Sequence, residues 1–374
     1  MGATVGVEEE FLLVDPGSLR PARHASAVLE RAEGAGLGDG CRLQRELWDS
    51  ELEASTGVCT DLTRLRRDIT RNRLVLARAA RAEGLDLVSV GHPLFGPRTA
   101  PPSADERYRP LRELCAGALA DQEICGCHVH VGVGDRDTGV AVLNHITPWL
   151  PTLLALTANS PYRRGRDTGF DSWRMVVYRR LPASGIPPWF ASAADYDRDL
   201  ARLKDCALLP PEHGGLRLAR LSDHLPTVEV RIADATATSA EAVLYAALVR
   251  GLVQTALTDL DTGREAARLS DVVLDDALWI ATRHGLSGPA IDPRTGARVP
   301  ARTMAARLIR HTTPALTDSG DLDEVRSSLN RVLDHGNGAA RQRRAAAEHG
   351  VPGALQALVR ETVAHELEPA GPST

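Results

Sequence analysis

The chain has 374 residues, 43% apolar and 25% charged, enough to bury one large core or two modest ones, which excludes disorder as the overall state. Its 44 Lys and Arg are scattered among 49 Asp and Glu for a net charge of -5, so no basic block marks nucleic acid as a partner. No apolar run is expected to reach the roughly 18 residues that span a bilayer, and MGATVGVEEE lacks the regions of a signal peptide; a cytoplasmic protein without a membrane partner is expected.

From Thr4 to Asp15, TVGVEEEFLLVD reads as a strand with Val5, Val7, Phe11 and Leu13 alternating, so that Glu8 and Glu10 share the opposite face. Segment 44–58 is acidic and partly alternating. A helix follows over about 62–83, capped by Thr60 or Asp61 and stopped at Gly84. DLVSVGHP, 86–93, reads as a strand closed by a Gly-His-Pro turn, 97–110 as a proline-rich loop, and 109–119 as a short helix. EICGCHVHVGV is a further strand, ending near Gly132, and an apolar helix covers about 139–157. Residues 159–195 form a long irregular section, and loops of that length are usually functional. LPTVEVRIAD, 225–234, is the clearest strand, with a helix behind it that Ser239 would cap. The rest, 260–366, reads as short amphipathic helices around turns at Gly285, Gly296, Gly336 and Gly350. No repeat or linker divides the chain, so 1–374 is read as one domain with 260–366 integral to it.

CGCHVHVG places Cys125, Cys127, His128 and His130 within six positions, as a zinc site could. Alternation puts both histidines on one face and both cysteines on the other, and a single residue separates the cysteines, whereas structural zinc spacings leave two to four. The cysteines, with Cys41, Cys59, Cys115 and Cys206, are read as free thiols. TVEVRIAD likewise puts Glu229 and Arg231 on one face. Carboxylates with an imidazole suit magnesium or manganese, and an arginine beside them suits a transferring phosphoryl group. This points to nucleotide chemistry without a P-loop. A sheet with one solvated face gives the same alternation, and a zinc hydrolase on the two histidines is the other enzymatic reading.

Together GVEEEFLLVD, GCHVHVGV, ANSPYRRGRDTGF, LPTVEVRIAD and NGAARQR, in that order over roughly 4–345, resemble the YbdK-like carboxylate–amine ligases, the type 2 branch of the glutamate–cysteine ligases. The resemblance implies an α+β fold with a curved, mostly antiparallel sheet, a funnel or saddle flanked by helices. It implies ATP and two or three magnesium ions, with manganese possible, and small carboxylate and amine substrates joined through an acyl phosphate. A glutamate-like acid and an amine such as cysteine are the implied pair, and a homodimer the implied assembly. A binding homologue without turnover is the alternative.

Carried over by motif, Glu8, Glu10, Glu46, Glu53, His128 and Glu229 are the implied metal ligands, with Glu53 and Arg231 in catalytic positions. Arg231, Arg341 and Arg343 are implied for ATP, and His130, Asn159, Asp167, Arg174 and Arg220 for substrate. The sequence departs from the family at LRLAR (Leu216, Arg217, Leu218, Ala219 and Arg220), where relatives commonly carry tryptophans and an aspartate before the arginine. Arg163 stands where an aromatic is usual and Gly91 where threonine is common. These changes bear on donor and acceptor choice.

Overall fold

The computed structural model describes residues 3–96, 106–119 and 122–364. In chain order the strands are β1 (Val5–Asp15), β2 (Arg20–Pro21), β3 (Arg42–Arg45), β4 (Glu51–Ser55), β5 (Asp86–Val88), β6 (Gly126–Gly132), β7 (Tyr162–Arg163), β8 (Arg166–Asp167), β9 (Ala219–Leu221), β10 (Thr227–Asp234), β11 (Pro289–Ile291) and β12 (Arg298–Pro300). The α-helices are α1 (Ala25–Ala32), α2 (Leu62–Ala82), α3 (Arg109–Cys115), α4 (Arg136–Ile146), α5 (Leu150–Thr157), α6 (Trp173–Tyr178), α7 (Ala193–Asp205), α8 (Ser239–Asp261), α9 (Asp271–His284), α10 (Ala301–Asp318), α11 (Leu322–His335) and α12 (Gly338–Thr362).

The main sheet runs β3-β4-β1-β6-β10-β9, with β2 and β5 also on β1. Its pairings are antiparallel, as the resemblance implied, and helices flank it. β1 is the hub because its alternation gives it one face that is apolar but for Glu9: Val5 and Val7 pack with Cys127, Val129, Val131, Val228 and Val230 in the main core. Helices α4, α5 and α8 cover that face, and Met304, Leu308, Leu316, Leu329 and Val332 of the C-terminal helices join the same cluster. The polar face of β1 is therefore the other one.

The stretches Arg136–Thr157 and Ser239–Asp261 are each long and apolar enough to cross a bilayer, which corrects the expectation that no run is. Inside the protein 89% and 72% of their apolar windows are buried, as befits helices of a core.

Other expectations shift in detail. The 139–157 helix begins earlier and is split into α4 and α5 by the 3₁₀ turn Thr147–Trp149, where Pro148 interrupts the backbone bonding. Thr238, not Ser239, caps α8, in a capping box with Glu241. The 159–195 section holds the β7–β8 hairpin and α6, which is too short for its periodicity to show. Gly296 turns the β11–β12 hairpin rather than a pair of helices, and α10 spans 18 residues. Strand β5 stops at Val88, just short of the Gly-His-Pro turn expected to close it. Most of the predicted 97–110 loop lies outside the described residues.

Candidate active site

Strand register assembles the polar face. Glu10 lies opposite Glu53, and Glu8 opposite both Ser55 and His128. His130 lies between Gly6 and Glu229, and Glu229 faces Arg220 on β9. Residues far apart in the chain thus form adjacent rows on one face. A register shift between Val230 and Ala233 inserts a bulge at Arg231 and Ile232, and bulges re-aim side chains beside sites.

Among the described residues two groups of donor atoms converge within 4.8 Å: Glu8, His128 and Glu229, and separately Glu10, Glu46 and Glu53. They are the six residues expected as ligands. His128 is 2% exposed; its Nδ1 lies 3.6 Å from Glu8 and its Nε2 lies 3.6 Å from Glu10 without a hydrogen-bond partner. An orphaned, buried imidazole nitrogen among carboxylates fits a cation ligand. The oxygen-rich donor set fits magnesium or manganese better than zinc.

Electrostatics divides the triads. Burial, then repulsion from Glu46 and Glu8, pushes Glu53 well above the usual carboxylate range. Burial and Glu10 likewise raise Glu46. Their side-chain donors are neutral: Gln44 donates to Glu53, and Tyr108 Oη to Glu46 at 2.8 Å. Burial opposes ionisation of Glu229 too, but Arg231 and Arg220 outweigh it and hold its carboxyl well below the usual range. Arg220 Nε sits 2.8 Å from Glu229 Oε2, and Arg231 bonds the other oxygen. For Glu8, hydrogen bonds from His128 and His130 overcome burial and lower its pKa.

A metal-binding prediction follows. With folded-state pKa values above the unfolded ones, Glu46 and Glu53 disfavour the metal-free fold increasingly as pH rises through and beyond the normal carboxylate range. A divalent cation needs both groups ionised, so it binds with proton release. Magnesium or manganese is expected to raise the melting temperature more at about pH 8 than at about pH 6. Equal, or no, thermal shifts at the two pH values would count against cation binding by these acids.

His130 turns Nδ1 to Thr227 Oγ1 at 2.9 Å and points Nε2 toward Glu8 at 3.4 Å, beside the first triad. Arg174 is 2% exposed and lies beneath the site, donating to the carbonyls of Arg231 and Ile232. A Cβ on Gly126 would come within 2.4 Å of the Arg174 guanidinium and 2.9 Å of His128 Nε2, so glycine there lets both approach. Asn159 holds backbone instead of facing the acids; its amide nitrogen donates to the carbonyls of Ser89 and Ala235, and its oxygen accepts from Gln342. Asp167 lines an open pocket of about 450 Å³ with Arg163, Arg164, Arg166, Thr168 and Trp173.

The basic motif near the C-terminus is engaged elsewhere. Arg341 is held by Glu241 at 2.7 Å, Glu361 at 3.0 Å and the Gly336 carbonyl at 2.9 Å. Arg343 bonds Asp167 at 2.8 Å, Asp171 and the Phe170 carbonyl. None of these partners belongs to the two acidic triads. Cys127 packs in the main core, but Cys125 joins Leu12, Val88 and Leu94 in another cluster, because β6 begins only at Gly126. The cysteines therefore do not share a face as alternation predicted; both thiols are pushed up by burial. All six cysteines are free.

Sequence reading missed Gln44, Tyr108 and Asp234. The Asp234 carboxylate is fully buried and accepts from Asn159 N–H at 2.8 Å and from the Ser160 and Ser172 hydroxyls, each at 2.7 Å, tying the 159–172 loop to β10. The bulge turns it to the face of Gly126, which strict alternation from Glu229 would not. A Cβ on Gly91 would meet this carboxylate at 2.6 Å, which accounts for glycine at that position in this chain.

The family model described as glutamate-cysteine ligase family 2 matches residues 4–361. A Saccharopolyspora erythraea protein provisionally named glutamate–cysteine ligase 2-2 is 49% identical over 350 residues, covering 93% of this chain and 90% of its own. Among solved structures, a Francisella tularensis glutamate–cysteine ligase in complex with AMP superposes with a TM-score of 0.66 at 14% identity, over 98% of this chain and 90% of its own. A bifunctional glutathione synthetase from Pasteurella multocida gives 0.70 at 14% identity, over 97% and 52%. At that identity the structures establish a shared fold.

Proposed function

The chain belongs to glutamate-cysteine ligase family 2, and from that premise we propose that it is an ATP-dependent carboxylate–amine ligase that works through an acyl phosphate. One observation carries the reading: acids from distant segments converge as two triads, with Arg231 held against Glu229 and His128 of the first. The related ligases support the reaction class, and the AMP complex of the Francisella tularensis enzyme supports a nucleotide substrate.

Glu8, His128 and Glu229 would hold one magnesium or manganese ion and Glu10, Glu46 and Glu53 another. Such ions, when bound, offset the repulsion between a carboxylate and a triphosphate and neutralise charge on the transferring phosphoryl group. Arg231 takes the position for the phosphoryl oxygens; its Nε is buried and unpartnered, and Glu229 fixes its other edge. Arg220 holds Glu229 from the far side and faces the substrate. The donor carboxylate attacks the γ-phosphorus, ADP leaves, and a neutral amine then attacks the acyl carbon and expels phosphate. His130 orients the substrate beside Glu8, and Arg174 supports the backbone that carries Arg231. Asp167 and the basic pocket around it are the second substrate contact, with Arg163 in place of an aromatic favouring an anionic group there.

We propose that Arg341 and Arg343 serve ATP binding by ordering the 159–171 loop and the start of α8, since the carboxylates of Glu241, Asp167 and Asp171 that hold them belong to those segments. The whole chain is read as one catalytic domain, because the C-terminal helices share the main core. Its place is the cytoplasm, where ATP is available and free thiols persist; a homodimer is the proposed assembly. A panel of amino acids incubated with ATP and magnesium is expected to show ADP release that requires both an acid and an amine. ATP binding without ADP release for every pair would instead identify a binding homologue.

A further inference from the structure

The β7–β8 hairpin concentrates charge of one sign. Arg163 and Arg166 are paired across it, and Arg164 stands in the turn between them with a φ of 52°. Like charges directly opposite on a hairpin repel, and a residue other than glycine at positive φ adds strain. All three arginines line the open pocket of about 450 Å³, together with Asp167, Thr168 and Trp173. That volume suits a small molecule, for which sites span roughly 300–1,000 Å³.

The carboxylate in the lining is engaged from outside the pocket. Arg343 reaches both oxygens of Asp167, Nε to Oδ2 at 2.8 Å and Nη2 to Oδ1 at 3.2 Å, and the Gly169 N–H also donates to Oδ1 at 2.8 Å. Arg166 is exposed and, among the described residues, has no carboxylate partner. The Arg163 guanidinium lies over the Trp173 ring at 5.7 Å, a contact that orients its fork.

The pocket adjoins the reaction site through α6. Trp173 in its wall precedes Arg174, which donates to the carbonyls of Arg231 and Ile232. Consecutive α-carbons are about 3.8 Å apart, so the pocket wall and the support of Arg231 are one turn of helix. Position 163 is where the family resemblance expects an aromatic residue, and arginine there adds charge to the wall. A phosphate or a pair of carboxylates presents the oxygens that planar guanidinium forks accept side by side.

We propose that this pocket binds a dianionic tail on the amine substrate, a phosphate or a pair of carboxylates, so that the chain takes an acidic amine in place of cysteine. The inference rests on reading the site as a ligase, and it names the class of the amine.

Calorimetric titrations of the full chain, saturated with magnesium and a non-hydrolysable ATP analogue, compare O-phosphoethanolamine with ethanolamine and L-aspartate with L-alanine. The wild type is expected to bind the acidic member of at least one pair about tenfold or more tighter, and the pair that responds identifies phosphate or carboxylate. Arg166→Gln, and Arg163→Phe with the aromatic residue restored, should each lower that preference about tenfold. The affinity of the ATP analogue should change by less than about twofold in both variants. Dependence on these arginines separates the pocket from the site of the donor acid. No preference in the wild type, or an undiminished one in both variants, overturns the proposal. An equal loss of affinity for the ATP analogue would assign the pocket to the nucleotide and overturn it too. Absence of ADP release with every acid and amine would sink the ligase reading and leave the binding preference measurable, so the two fail separately.

Discussion

Glu53→Gln is expected to lower kcat/KM for ADP release by about 10³-fold or more while raising the melting temperature of the metal-free protein. The opposite signs have one origin. Glu53 is 6% exposed and sits among Glu46, Glu8 and Glu10, so its charge destabilises the fold unless a cation stands between them. Glutamine keeps the volume and the amide can still meet Gln44, but it removes a ligand charge. Glu229→Gln should abolish turnover equally and yet lower stability, because Arg220 and Arg231 would lose the carboxylate between them. Steady-state rates and thermal melts on the two variants check this. Near-wild-type turnover in both would remove the acids from the chemistry, and a shared loss of stability would mean that Glu53 is structural.

The second large effect is on folding. Arg73→Ala should cost about 3–5 kcal/mol, read by urea denaturation. Arg73 is 1% exposed and pairs with Glu9 through two bonds, at 2.7 Å and 3.3 Å. It also donates to the carbonyls of Thr236, Ala237 and Thr362 and lies over the Phe11 ring at 5.5 Å. Removing it leaves a buried Glu9 without its counter-ion and takes a donor from three backbone carbonyls, of which Thr236 keeps the Ser89 hydroxyl at 2.7 Å. Glu9→Gln with Arg73→Met, which leaves no uncompensated charge, should cost less than Arg73→Ala alone. A loss under about 1 kcal/mol for Arg73→Ala would show that the pair does not hold β1 to α2.

That pair also explains why the middle acid of GVEEEF differs from its neighbours. Alternation sends Glu9 to the apolar face, where Arg73 of α2 neutralises it, and Glu8 and Glu10 to the cation face. The same period-two logic separated His128 and His130 from Cys127. It could not show which strands adjoin, since pairing Glu10 with Glu53 and His130 with Glu229 depends on register across the whole sheet. The resemblance supplied that, and the ligand set follows it.

Where sequence reasoning fell short, the cause is a local irregularity or a distant partner. The bulge at Arg231–Ile232 switches the face of Asp234, and the late start of β6 sends Cys125 away from Cys127. Arg341 and Arg343, implied for ATP, have carboxylate partners that the sequence does not show, because Glu241, Glu361, Asp167 and Asp171 are far along the chain or hidden in the irregular section. Tyr108 and Glu51 carry no signature beside the motifs, yet one bonds Glu46 and the other extends the acidic face.

The central claim is that these acids serve the transfer of a phosphoryl group to a carboxylate. Oxygen-18 placed in the carboxylate of the donor acid tests it most directly, with the released phosphate analysed by mass spectrometry. An acyl-phosphate route carries one labelled oxygen from the acid into phosphate for each amide formed. Amide formation with unlabelled phosphate would contradict it.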